Sequence, residues 1–158
     1  MDDLHSINDA INRRAGRKLG PSILVSLSLV ALIWVSLAFE PIVFAGVVTL
    51  AVILGIREIS RAFSAAKTNI STNALIAAAI GLSVATWFDG VEGLAVATAV
   101  ALPILLINLL RSGPEGFVRS ATAMTLALIY LPFLAGFIIL LGHNENGLER
   151  VMTFVILV

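Results

Sequence analysis

Five apolar runs separated by short polar breaks leave this chain few ways to fold. They cover residues 22–39, 42–56, 74–88, 94–110 and about 120–142. The breaks are Glu40-Pro41, a polar connector over 64–73, "DGVEG" at 89–93 and "RSGPEG" at 111–116. A bilayer core is about 30 Å thick and takes about 20 helical residues to cross, within a range of about 17–25. The first, fourth and fifth runs meet this directly. The second and third are shorter and span only by recruiting flanking residues or thinner lipid. Period-two alternation, the mark of a membrane barrel, is absent. Helices are then the remaining way to satisfy every backbone amide in lipid.

Composition agrees. The 158 residues are 59% hydrophobic and 13% charged, with mean hydropathy +1.03, against about 45–50% and about 25% in soluble domains. The expected fold is all-α, a polytopic transmembrane bundle. A basic cytoplasmic segment occupies 1–20 and a transmembrane domain 21–158. The spans are placed at about 22–39, 42–63, 73–88, 93–110 and 120–142, with a sixth starting near 150. Leu4, Ile7 and Ile11 have helical spacing, which allows a short surface helix before Pro21. No apolar stretch followed by a cleavage site marks a signal peptide. The eight residues "VMTFVILV" are too short to cross, at about 12 Å as a helix. They read as the start of a span in a longer protein, or as a segment lying flat on the outer interface.

Charge orients the bundle. With the N-terminus in the cytoplasm, the inner segments hold Arg13, Arg14, Arg17, Lys18, Arg57, Arg61, Lys67, Arg111 and Arg119, and the outer ones only Arg150. Acidic residues divide evenly, with Asp2, Asp3, Asp9, Glu58 and Glu115 inside and Glu40, Asp89, Glu92, Glu145 and Glu149 outside. Membrane orientation follows Lys and Arg rather than net charge.

Signatures of soluble chemistry are missing: no Walker A loop, GxGxxG, HExxH or GxSxG occurs. Without cysteine there is no disulfide, thiolate metal site or cysteine nucleophile. His5 and His143 fall on opposite sides and cannot share a metal. The candidate site is "LGIREISRAF", residues 54–63. Arg57 and Arg61 share a helix face at i,i+4, and Glu58 can reach Arg61 at i,i+3. Arginine snorkels to the interface, whereas glutamate is too short to do so well. The triplet is either an interfacial anchor with an internal ion pair or a polar site near lipid headgroups, where guanidiniums bind phosphate. Asn108 is placed to hydrogen-bond a neighbouring helix. Pro103 and Pro132 each remove a donor and are expected to kink their spans. Ala77, Gly81 and Ala85 form a small-residue stripe that permits close helix packing.

Four stretches, in order, resemble the N-terminal half of bacterial phosphatidate cytidylyltransferases, the CDP-diacylglycerol synthase family. They are the basic entry "NRRAGRKLGPSILVSLSLVALIW", the second-span end "LAVILGIREISRAF", "GFVRSATAMTLALIYLPFLAGFIILL" with Tyr130, Pro132 and Phe133, and "GLERVMTFVILV". The resemblance covers about residues 12–158 and rests on pattern and order. It implies transfer of CMP from CTP to phosphatidic acid, giving CDP-diacylglycerol and pyrophosphate. It further implies a divalent metal, Mg2+, held by a C-terminal part, no nucleic acid, a multi-pass place in the plasma membrane, and room for a homodimer. The family's "SD…Y…G…FGK" and "SPKKT-x-E-G" stretches are absent from this sequence. No catalytic or metal residue therefore carries over, and Arg57, Glu58 and Arg61 stand only as candidates near substrate. This chain by itself is expected to be inactive. The competing expectation is a small multi-pass transport or structural membrane protein.

Overall fold

The computed structural model describes residues 19–68, 70–111, 116–144 and 146–157. Arg13, Arg14, Arg17 and Lys18, the surface helix expected around Leu4, Ile7 and Ile11, and Glu115 and Glu145 lie outside the described residues. The described elements are all helical: α1 Leu19–Phe39, α2 Pro41–Ala65, α3 Thr72–Leu110, α4 Phe117–Leu128, a wide π-turn at Ile129–Phe133, α5 Leu134–His143 and α6 Gly147–Leu157. Two compact units divide the chain, residues 1–35 and 36–158. Most of α1 belongs to the first, and the remaining helices build the second.

Three helical stretches are long and apolar enough to cross a membrane: Pro41–Ala65, Thr72–Leu110 and Phe117–His143. The chain therefore has the character of a membrane protein. Large apolar side chains on the second unit's outer faces agree with this, among them Leu50, Leu54, Phe88, Val96, Ile104 and Leu126. Exposed apolar area on this scale suits lipid rather than water. Inside, Ile56, Leu75, Leu82, Leu94, Leu105, Met124 and Leu128 form a buried core.

Each element begins and ends for a local reason. Glu40 is extended, with φ −160° and ψ 134°, and Pro41 opens α2 at a position whose N–H would have no helical partner. At the other end, Thr68 N–H bonds the Phe63 carbonyl at 2.9 Å and Lys67 N–H bonds that of Ser64 at 3.0 Å. This paired closure is a Schellman motif, and its left-handed position normally holds glycine. Here Lys67 takes it, at φ 56°, at a cost of about 1–2 kcal/mol for an L-residue.

α3 has 39 residues, which as a straight rod would measure about 58 Å, nearly twice a bilayer core. It is not straight. Gly90 sits at φ 61°, ψ −136°, backbone that side-chain-bearing residues scarcely adopt. The chain reverses there: Ala74, Ala77 and Gly81 line one cleft of about 420 Å3 together with Ala97, Val100 and Asn108. In a straight helix Ala74 and Asn108 would stand about 51 Å apart. Gly93 lies so close to the Ala85 carbonyl oxygen that a Cβ there would collide with it. The "DGVEG" turn thus makes a tight helical hairpin with arms 72–89 and 91–110.

The two intrahelical prolines behave differently. Pro103 is exposed, and α3 keeps helical dihedrals around it, since only Gly90 departs from them. The kink expected at Pro103 is therefore not a break in its arm. Pro132 is buried inside the π-turn, where Leu134 N–H reaches back to Ile129. One wide turn absorbs the missing donor.

Hydroxyls within the helices mostly turn back on their own backbone. Thr49 Oγ1 donates to the Ala45 carbonyl at 2.7 Å, Thr86 to Leu82 at 2.6 Å and Thr98 to Leu94 at 2.7 Å. Bonding to the i−4 carbonyl lets a polar residue sit in an apolar surround at little cost.

Candidate functional site

In the second unit the helix ends sort the charges. Arg119, in the first turn of α4, donates from Nη2 to the Ala66 carbonyl at 2.7 Å. This bond ties the start of α4 to the end of α2. Leu110 and Arg119 line one groove, so the end of α3 lies there as well. Arg57, Arg61, Lys67, Arg111 and Arg119 therefore gather at one end, with Glu58 as its one described carboxylate. At the other end the Trp87 and His143 rings meet edge-to-face, with centroids 4.4 Å apart, and Gly142 lies against Phe44. That end carries Glu40, Asp89, Glu92 and Glu149, with Arg150 its one described Lys or Arg.

The REISR stretch occupies the last turns of α2. Arg57, Glu58 and Arg61 are all exposed, and no ion pair joins them. The Glu58–Arg61 contact that the spacing allows is not formed, and the triplet lines neither the spaces along α4 nor the clefts beside Gly46 and Gly81. Its side chains project outward at the basic end. Ser60, inside the same stretch, does the opposite. It is buried, and its hydroxyl has no hydrogen-bond partner. Nothing in the sequence marks this burial, because a serine between two arginines looks like part of a wet surface.

The basic end also carries an apolar groove. Leu106, at the end of α3, and Phe117, Val118, Ala121, Thr122, Thr125, Leu126 and Ile129, along α4, line a space of about 600 Å3. A second space of about 610 Å3 continues it past Phe117 and Val118 to Arg119. Asn108 is exposed, on the cleft between the α3 arms. Among the described residues no group of three His, Asp or Glu side chains could hold a metal ion. Glu58, the one described carboxylate at the basic end, does not by itself make the carboxylate set that Mg2+ needs. Chemically this end can attract and hold anions beside a lipid-facing surface. Neither a family model, nor a curated protein, nor a solved structure matches the chain.

Proposed function

We propose that this chain is the N-terminal membrane bundle of a phosphatidate cytidylyltransferase, which joins CTP and phosphatidic acid into CDP-diacylglycerol and releases pyrophosphate. On this reading α1, α2, the two arms of α3 and the α4–α5 rod are five spans of the plasma membrane, and α6 begins a sixth. The observation that carries it is the gathering of Arg57, Arg61, Lys67, Arg111 and Arg119 at one end of the second unit. Both substrates are anionic, and CTP reaches the membrane from the cytoplasm, the side that positive charge selects. The order of the four resembling stretches supports the same reading. The described residues do not fit a metal, and on this reading Mg2+ and the reacting phosphates would be held by a C-terminal part of the enzyme.

A transport role has less support. The hydroxyls of Thr49, Thr86 and Thr98 are spent on their own helices, which leaves little to line a polar path.

The test is lipid-dependent turnover. The gene product in full, purified in phosphatidate micelles with CTP and Mg2+, is expected to form CDP-diacylglycerol and pyrophosphate in equal amounts. Omitting phosphatidate should abolish both. Absence of lipid-dependent product from well-folded protein contradicts the proposal.

A further inference from the structure

The groove between α3 and α4 has a feature that a general basic surface lacks: a cation fixed at its mouth. Arg119 is anchored through one N–H to the Ala66 carbonyl at 2.7 Å. A guanidinium has five N–H donors, and among the described residues this is the one bond Arg119 makes. Below it the walls are mostly apolar, formed by Phe117, Ala121, Leu106 and Ile129 with Thr122 and Thr125 between them, and the Thr122 hydroxyl donates to the Val118 carbonyl of its own helix. From Phe117 to Ile129 the helix rises about 18 Å, close to the roughly 15 Å of one leaflet of a bilayer core about 30 Å thick.

We infer that this groove seats one anionic phospholipid from the leaflet at the basic end, its phosphate on Arg119 and one acyl chain lying along α4 to Ile129. Charge and length both select this occupant. A spanning helix from a second copy or another subunit would need a groove about 30 Å long. This one stops at the π-turn, half-way across. A pre-placed guanidinium beside mostly apolar walls suits a phosphate joined to a hydrocarbon chain, which offers both in one molecule. The inference holds whatever reaction the protein performs.

Native mass spectrometry of the full gene product tests it, after equilibration in detergent with phosphatidylglycerol or with phosphatidylcholine. One phosphatidylglycerol is expected to remain bound in preference to phosphatidylcholine. Arg119→Gln should lower that retention about five-fold, the worth of one cation near an anionic surface. Thr125→Trp, which fills the groove and leaves the Ala66 contact intact, should lower it at least as much. Arg57→Gln, at the same end but outside the groove, should lower it clearly less than Arg119→Gln does. Equal loss in Arg57→Gln would mean diffuse attraction and overturn the inference. So would full retention in Thr125→Trp, displacement of the lipid by inorganic phosphate, or a dimer that Thr125→Trp dissociates.

Discussion

Ser60 is, among the described residues, the one side chain that the fold buries without a hydrogen bond. Burying a hydroxyl unpaired costs about 1–3 kcal/mol. Ser60→Ala is therefore expected to be neutral or to stabilise by about 1 kcal/mol, read as the unfolding midpoint of purified protein in detergent. A loss of stability would show that the hydroxyl has a partner in the membrane. The neighbouring charges were legible in sequence: Arg57, Glu58 and Arg61 end an apolar run, and the structure puts them on the last turns of α2, facing out. The burial of Ser60 was not legible, because it depends on which face of α2 the other helices cover. Lys67 was equally hidden. Nothing in its type announces a left-handed residue, and glycine would be the ordinary choice.

The same contrast holds for whole elements. An Asp-Gly pair between two apolar runs marked the reversal at Gly90, and the helical hairpin follows. Gly90→Ala should cost about 1–3 kcal/mol, because its backbone conformation tolerates no side chain. Gly93→Ala should destabilise too, since its Cβ would enter the Ala85 carbonyl. Gly46→Ala is the control. Open space surrounds that position, and a mid-helix glycine replaced by alanine gains up to about 1 kcal/mol in propensity. Thermal unfolding of the three variants side by side checks this; equal effects in all three would remove the special role of the turn. The prolines mark where sequence ran out. Both sit inside apolar runs, yet Pro103 faces outward in an arm that keeps helical dihedrals and Pro132 is buried in a π-turn. Only packing distinguishes them.

For the molecule as a whole, everything depends on sidedness. The second unit places Lys67, Arg111 and Arg119 at one end and Asp89, Glu92 and His143 at the other. A hydropathy reading anticipated this separation because cations concentrate in alternate breaks. It could not anticipate the Arg119–Ala66 bond or the groove beside it, which require α2, α3 and α4 to be packed. Orientation in the membrane is open to direct measurement, since these 158 residues contain no cysteine and a single introduced cysteine has no background within them. Lys67→Cys, Val91→Cys, Arg111→Cys and Asn144→Cys would be treated on intact cells with a membrane-impermeant maleimide. The account predicts that Val91→Cys and Asn144→Cys label from outside, whereas Lys67→Cys and Arg111→Cys label only after the membrane is opened. Labelling of Lys67→Cys and Arg111→Cys from opposite sides would contradict it, for α3 would then cross once as a single rod and the basic end would not exist.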